Sequence, residues 1–412
     1  MYKTFFYLKE FLKKFTQTIS SRLFNSRLRL REILTFVSMR QKRVYMTVSS
    51  DLATDNRVHR SCTVLEELGF QIHLFGRQKK NSPVMPPRSY CVRRMQLKFE
   101  KGAFFYAELN IRLFLILLFK KYDFLFANDL DTLPAAYLAS RLKRKPLLYD
   151  SHELFTEVPE LVGRPRVQKV WQRLEKMMLP HIDHMITVNQ SIARIFENKY
   201  AIHCSVVRNV PMRLDPIAAH SKSFLGLSDA QIMLIIQGSG LNIERGIEEA
   251  VMAMAQIPRA VLFLVGDGDA IPSIQKLVAQ LQLQDQVRFI GRVPYNELLR
   301  YTAAADLGLA LDKPLSLNYA LALPNKVFDY IQAGTPIVAS SLIEIETLIH
   351  KHNCGVVLPE VTPQMIAEKI NALIDQPERR AEYKINCQQA AQIENWDTDK
   401  QVLMDVVQRV FI

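Results

Sequence analysis

Cysteine and glycine are scarce in this sequence, and their scarcity excludes several protein classes. Five cysteines are spread over 412 residues without a Cys-x-x-Cys pair. They are Cys62, Cys91, Cys204, Cys354 and Cys387. An odd set of separated cysteines predicts neither a disulfide framework nor a zinc site, and it favours a reducing compartment. Only 14 residues are glycine, so the chain is neither fibrous nor of low complexity.

Long apolar runs are also missing. The run LFLILLF, residues 113–119, has seven residues between charged neighbours, whereas a helix that spans a bilayer needs about 20. Charges interrupt the apolar residues near the start of the chain, which is not the pattern of a signal peptide. We therefore expect a cytoplasmic protein.

The positive charge is concentrated at one end. Residues 1–43 hold eleven Lys or Arg and two Glu, which leaves only three of the twelve net positive charges for the rest of the chain. A nucleic-acid-binding protein would spread such charge over a folded face, so we predict no nucleic-acid partner. Apolar and basic residues of the arm, 1–42, fall on opposite sides of a helical wheel. This pattern is typical of contact with an anionic membrane surface through residues 1–36; the alternative is a disordered or docked basic tail.

The remainder of the chain alternates apolar strands with helical segments, first from residue 43 to 210 and again from 229 to 392. Such alternation predicts an α/β fold with two doubly wound, Rossmann-like parallel-sheet domains. We place a linker at 211–228 and a C-terminal helix at 393–412. Ligands of open parallel sheets bind beyond the carboxyl ends of the strands, so a central cleft between the domains is expected.

Two loops of the second domain could face a phosphate or a base. The loop QGSGLNIERG carries Gly238, Gly240 and Arg245, which would offer backbone amides and a guanidinium to a diphosphate; the alternative is a tight turn. Its spacing disfavours a nicotinamide dinucleotide site. Gly291 and Arg292 follow a later strand at its carboxyl end.

Other candidate residues each have a structural alternative. Lys326 and Asp329 could form an i,i+3 ion pair on a helix that begins after Pro324, or could face the cleft. His152 in DSHELF could contact a ligand or solvent. Asp129, with Asp131, could bind a metal, but helix capping is favoured and we predict no metal.

The residues Asp55, Asn56 and Arg57 follow the first strand. They could contact an acceptor or form a helix cap with a surface ion pair.

Taken in order, these motifs resemble the retaining GT-B glycosyltransferases of family 4. The donor-side motifs are QGSGLNIERG, LVGDGD, IGRVP and PNKVFDYIQAGTPIVAS, and TDNRVHRSCTVLEELGFQIHLFGR, ANDLDTLPAAYLAS, DSHELF and VVRNVP lie in the first half. The resemblance runs from about residue 43 to 390.

The resemblance implies roles for individual residues. Asp329 matches the second acid of the family's Glu-x7-Glu motif, which binds the ribose, and Arg245 matches a basic residue that faces the diphosphate. His152 matches a histidine near the donor sugar. Gly291 and Arg292 match the loop beside the base.

The sequence departs from the family at two positions. Leu321 stands where the motif has its first acid, and Ser239 replaces an arginine. Lys326 is the candidate replacement for that arginine. Asn318, or the chain from 323 to 326 with Asn325, is the candidate contact for the sugar.

The resemblance implies transfer of a sugar from a nucleotide diphosphate sugar to a glycan or lipid-linked acceptor, with retention and without a cofactor. A cell-envelope role on the inner face of the cytoplasmic membrane would suit the basic arm. Two alternatives remain: a non-hydrolysing sugar-nucleotide epimerase and a non-catalytic nucleotide-binding scaffold.

Overall fold

The computed structural model describes residues 41–214, 216–238 and 240–411. Most of the basic arm, including the predicted membrane-binding residues 1–36, lies outside the described residues, as does Ser239.

The first domain is built on a seven-stranded parallel sheet. Its strands are β1 (Arg43–Asp51), β2 (Gln71–Gln78), β3 (Cys91–Gln96), β4 (Phe124–Asn128), β5 (Leu147–Ser151), β6 (His184–Thr187) and β7 (His203–Val206). The order β3-β2-β1-β4-β5-β6-β7 places the reversal of winding between β1 and β4. The helices are α1 (Asn56–Glu67), α2 (Gly102–Phe119), α3 (Leu133–Lys143), α4 (Pro159–Val162), α5 (Pro165–Met178) and α6 (Gln190–Tyr200).

The second domain repeats this plan with six parallel strands. They are β8 (Ile232–Gly238), β9 (Ala260–Gly266), β10 (Val287–Gly291), β11 (Leu307–Ala310), β12 (Ile337–Ser340) and β13 (Gly355–Leu358), in the order β10-β9-β8-β11-β12-β13. The helices of this half are α7 (Ile247–Met254), α8 (Ile271–Gln280), α9 (Tyr295–Ala304), α10 (Leu317–Ala320), α11 (Asn325–Ala333), α12 (Ile343–His352), α13 (Pro363–Ile374) and α14 (Pro377–Ala390). The predicted α/β fold with two doubly wound parallel sheets is confirmed.

The helix α2 of the first domain has no clear helical signal in the sequence. Apolar residues of α2 occupy nearly all sides of the helix. Its sequence therefore lacks the helical period that marks one buried face. In the structure, a stripe at four-residue spacing turns inward: Phe105, Leu109, Leu113 and Leu117. The helix has 18 residues, and the seven-residue run LFLILLF forms only its C-terminal part.

The last helix, α15 (Trp396–Phe411), returns from the second domain to the first. Phe411 stacks on Phe124 with ring centroids 4.4 Å apart. Arg208, just after β7, binds Asp399 of α15 through Nη2 and Oδ2 at 2.7 Å. The chain therefore crosses between the domains twice, and both crossings lie close together because the backbone N–H of Trp396 donates to the carbonyl of Pro211 at 2.8 Å.

Candidate nucleotide-sugar site

Arg245 and Lys326 meet at a residue that sequence reasoning missed, Asp312. Nη1 of Arg245 lies 2.6 Å from Oδ1 of Asp312, and Nζ of Lys326 lies 2.9 Å from Oδ2. Asp312 is buried just beyond the carboxyl end of β11. Burial alone would raise its pKa, but Lys326 and Arg245 outweigh burial and hold the pKa below its ordinary value. Two cations against one carboxylate leave a net positive charge, which suits a diphosphate.

Gly246 explains how Arg245 reaches this position. Gly246 precedes α7 with φ of +74°, and a Cβ there would lie 2.4 Å from the carbonyl oxygen of Leu311. Only glycine allows the loop to approach β11 this closely. Arg245 also covers the Tyr319 ring, with its guanidinium carbon 4.5 Å from the ring centroid. The same loop carries Gly238 and Gly240, which precede the N-terminus of α7.

Asp329 lies one turn along α11 from Lys326 and does not pair with it, so the ion-pair interpretation was wrong. Its Oδ1 accepts from the Tyr295 hydroxyl at 2.7 Å, and its Oδ2 accepts from Nε2 of Gln237 at 3.1 Å. Burial raises the pKa of Asp329 to about 6, although both hydrogen bonds oppose that rise. Tyr295 and Gln237 are therefore further members of this site. Their sequence signal is the position of each residue near the carboxyl end of a strand.

His152 lies across the cleft between two carboxylates. Its Nδ1 is 3.1 Å from Oδ2 of Asp129, and its Nε2 is 3.3 Å from Oδ2 of Asp150. Burial disfavours the protonated ring, but the two carboxylates outweigh burial and raise the pKa of His152 to about 10. The solvent-facing alternative for His152 was wrong, and the residue is positioned as an imidazolium.

Asp129 does not cap α3, so the helix-capping prediction was wrong. Its Oδ1 instead accepts from the backbone N–H of His152 at 3.0 Å. Asp131 is buried nearby, and burial, with the Asp129 charge, raises its pKa to about 7. Among the described residues, no group of three His, Cys, Asp or Glu is arranged to hold a metal ion.

Arg57 is buried beneath the cleft instead of facing an acceptor, which corrects its predicted role. It pairs with the fully buried Asp150 through two bonds, Nη2 to Oδ1 at 2.6 Å and Nε to Oδ2 at 3.1 Å. Its Nη1 donates to the carbonyl of Val207 at 2.8 Å. All three contacts are intramolecular, so Arg57 supports Asp150 and, through it, His152.

One neighbour of Arg57 fits the helix-cap interpretation. Asp55 is a helix cap, because its Oδ1 accepts from the backbone N–H of Val58 at 3.0 Å. Asn56 is the exposed first residue of α1.

Asn318 joins the two domains. Its Oδ1 accepts from the backbone N–H of Leu154 at 2.8 Å, and its Nδ2 donates to Oε2 of Glu153 at 3.3 Å. Burial, followed by the charges of Asp129 and Glu160, raises the pKa of Glu153 to about 7. This contact brings the His152 loop beside α10, and Tyr319 of α10 accepts from Nη2 of Arg245 at 3.2 Å, so His152 and Arg245 lie on opposite sides of the junction between the domains.

Leu321, which stands where the family motif has its first acid, is part of the same junction. Its side chain belongs to the buried apolar cluster of the first domain, together with Leu154 and Ile192. Its carbonyl accepts from Nδ2 of Asn189 at 2.7 Å. An acid at this position would be buried among apolar side chains, so its absence agrees with the local packing.

The remaining predicted residues lie at the edge of the site. Gly291 ends β10 with φ of +72°, and Arg292 is exposed, with Nε 3.5 Å from Oδ2 of Asp267. Asn325 is the exposed first residue of α11. The described contacts do not bring these three residues into the group around Asp312 and Asp329.

We expect His152 to remain protonated through neutral pH. Because its folded pKa of about 10 exceeds the ordinary value of about 6.5, its stabilising contribution is complete below about pH 6.5 and is lost as the pH rises through about 10. Ring NMR signals of His152 should not titrate between about pH 6 and pH 8. The Asp129→Asn variant should titrate at lower pH than the wild type. A wild-type midpoint near 6.5 would show that the two carboxylates do not hold the proton.

Two parallel-sheet domains that face a cleft, with a cation pair on one wall and a charged histidine on the other, define the GT-B class of nucleotide-sugar enzymes. Residues 55–211 match the model of glycosyltransferase family 4, and residues 227–390 match the model of glycosyl transferases group 1. The chain belongs to these glycosyltransferases.

Curated relatives match over part of their length. The chain is 24% identical over 166 residues to an alpha-D-kanosaminyltransferase of Streptomyces kanamyceticus. This match covers 38% of this chain and 39% of the relative. It is 26% identical over 185 residues to the amylovoran biosynthesis glycosyltransferase AmsK of Erwinia amylovora, which covers 43% and 44%. The matched stretches thus span less than half of these relatives.

Solved structures resemble the chain over nearly its whole length. Sucrose-phosphate synthase from Thermosynechococcus elongatus has a TM-score of 0.73 and 18% identity, covering 90% of this chain and 99% of that protein. Anabaena HepE in complex with UDP has a TM-score of 0.68 and 17% identity, covering 90% and 100%. At these identities the likeness shows the fold alone.

Proposed function

We propose that the chain transfers a sugar from a nucleotide diphosphate sugar to a hydroxyl of a glycan or lipid-linked acceptor, with retention of the anomeric configuration. The observation that carries this proposal is the convergence of Arg245 and Lys326 on Asp312, in the cleft opposite His152. A cation pair held by one buried carboxylate is suited to receive the charge of a departing nucleotide diphosphate.

In the proposed reaction, the bond between the anomeric carbon and the diphosphate oxygen breaks, and the acceptor oxygen bonds to that carbon on the same face. Negative charge grows on the diphosphate, where Arg245, Lys326 and the amides near Gly238 and Gly240 stabilise it. The departing phosphate oxygen takes the proton of the acceptor hydroxyl, so no protein base is assigned. His152, an imidazolium whose two ring nitrogens face Asp129 and Asp150, is proposed to lie beside the donor sugar and to act through its positive charge.

Asp329 is the proposed ligand of the nucleotide ribose. Its oxygens already accept from Tyr295 and Gln237, and each carboxylate oxygen can accept a further hydrogen bond. Gly291 and Arg292 are proposed to contact the base. Asn318 and Asn325 are proposed to contact the donor sugar.

Replacing Asp329 with Ala should weaken nucleotide binding about ten- to hundredfold, as expected for losing hydrogen bonds to a charged group. Calorimetry with UDP and with GDP measures the effect, and Asp375→Ala, an exposed carboxylate of the same domain, is the control. Because the pKa of Asp329 is about 6, wild-type affinity should also fall below about pH 6. An Asp329→Ala affinity equal to that of the control would remove Asp329 from the site.

Incubation with sugar nucleotides tests the function itself. A screen of UDP- and GDP-sugars with membrane extract should give a glycosylated product and free nucleotide diphosphate. Conversion of a UDP-sugar without any acceptor would instead identify an epimerase. Tight nucleotide binding without turnover would identify a scaffold.

The proposed setting is cell-envelope polysaccharide or glycolipid synthesis on the inner face of the cytoplasmic membrane. The basic arm, residues 1–36, supports peripheral contact with anionic lipid. The similarity to AmsK, whose name assigns it to amylovoran biosynthesis, supports a polysaccharide role.

A further inference from the structure

Helix α2 has a second apolar stripe that the first domain leaves uncovered. Phe104, Ile111 and Leu115 are 71%, 59% and 46% exposed, and Phe119 at the end of the helix is 79% exposed. The spacing of the first three residues, seven and four, puts them on one face, opposite the buried stripe that packs on the sheet. Length and composition alone would let α2 cross a membrane, but its buried stripe holds it on the domain surface.

The neighbouring helix α3 extends this apolar surface. Leu138 and Leu142, one turn apart, are both exposed. Lys143 ties the ends of the two helices together, because its Nζ donates to the carbonyls of Leu117 at 3.2 Å and Leu118 at 3.1 Å. We call the six exposed apolar residues the α2–α3 face: Phe104, Ile111, Leu115, Phe119, Leu138 and Leu142.

Positive charge surrounds this face at the C-terminal ends of α2 and α3. A cavity of about 810 Å³ beside the end of α3 is lined by Arg141, Arg144, Lys145 and Arg409, and Asp183 is the single acid among its described lining residues. Lys120 and Lys121 follow α2 directly. Glu108, the acid within α2, pairs with Arg112 at 2.6 Å and accepts hydrogen bonds from the backbone N–H groups of residues 98 and 99.

Strand β1 begins at the same place. Arg43, Phe119, Lys120 and Lys121 line one cavity at the start of β1. The basic arm therefore joins the domain beside the end of α2, where the apolar and cationic surfaces meet.

We propose that the α2–α3 face docks onto an anionic lipid bilayer. The apolar residues enter the interface between headgroups and acyl chains, and the surrounding cations bind lipid phosphates. A second copy fits less well, because a two-fold interface would place the same cationic cavity against itself. This surface uses no residue of the donor site, so docking and glycosyl transfer are separate properties that fail separately.

A matched pair of substitutions in the full chain tests the proposal. Ile111→Asp should weaken sedimentation with vesicles of phosphatidylcholine and phosphatidylglycerol by about tenfold or more, since one buried apolar side chain is lost and a like-charged group is added. Ile385→Asp, at a 54% exposed position on α14, should bind as the wild type does. Both variants keep the arm, so equal binding by the two would show that the arm alone makes the contact and would overturn the proposal.

A second variant covers the case in which Ile111→Asp fails to fold. Lys120→Glu with Lys121→Glu should also lower the affinity about tenfold or more on the anionic vesicles, and much less on phosphatidylcholine alone. No loss with this pair would contradict docking. If light scattering shows a wild-type dimer that these variants lose while vesicle binding persists, the face binds a second copy and the proposal is overturned.

Tryptophan fluorescence measures the contact directly. The two native tryptophans, Trp171 and Trp396, are buried, so a Phe119→Trp variant reports on the face. Brominated lipid should quench this added tryptophan and should leave that of Ile385→Trp unchanged. A bound Phe119→Trp protein without quenching would show that the face stays in water.

Discussion

Replacing Arg245 with Ala is expected to lower kcat about a hundred- to a thousandfold. Removal of one preorganised donor aimed at developing charge typically has this effect. Arg245 holds a fixed position because Asp312 binds its Nη1 at 2.6 Å and the Tyr319 hydroxyl accepts from its Nη2 at 3.2 Å. The rate should be measured with whichever donor the sugar-nucleotide screen identifies.

The matched control for Arg245 is Arg259→Ala. Arg259 is an exposed arginine of the same domain, paired with Asp375 at 2.5 Å. Its loss should leave kcat within about twofold, because surface ion pairs contribute little. Lys326→Ala should resemble Arg245→Ala, and the double variant should lose less than the product of the two, since both groups act on one charge. A normal kcat in Arg245→Ala would contradict the proposed role of the cation pair.

The second large effect concerns stability. Asp150→Ala should lower the free energy of unfolding of the first domain by about 3–5 kcal/mol, because it leaves the buried Arg57 guanidinium without its partner. Arg57 and Asp150 are both buried and joined by two bonds. Denaturant titration followed by fluorescence of Trp171, which lies in the core cluster of this domain, measures the change.

Two comparisons separate this mechanism from a general loss of packing. The exposed pair Arg259–Asp375 supplies the control Asp375→Ala, which should cost no more than about 1 kcal/mol. The double variant Arg57→Met with Asp150→Leu should be more stable than Asp150→Ala, since no unpaired charge remains. A double variant no more stable than Asp150→Ala would mean that the cost comes from packing and not from the lone guanidinium.

The fold could be predicted from sequence because its signals are local. Apolar strands alternate with helical segments, and Asp55, Pro324 and Gly334 mark helix ends in the sequence and in the structure. Helix α2 was the exception: both its buried and its exposed stripes are apolar, so no polar face marks the period.

The site could be predicted only in part, because its chemistry depends on partners distant in sequence. The motif order indicated Arg245, Lys326, Asp329 and His152. Nothing local showed that Asp312 would bind two of them. Likewise, Arg57 looked like a surface residue until Asp150, 93 residues later, paired with it in the interior.

The return of the chain to the first domain through α15 bears on how the two domains can move. Both connections pass through one small region, where Arg208 binds Asp399 and the fully buried Glu394. Two domains whose connections lie side by side are expected to open by rotation about those connections. We therefore expect the Arg208 cluster to act as a hinge, with the largest displacement at the parts of the cleft farthest from Arg208.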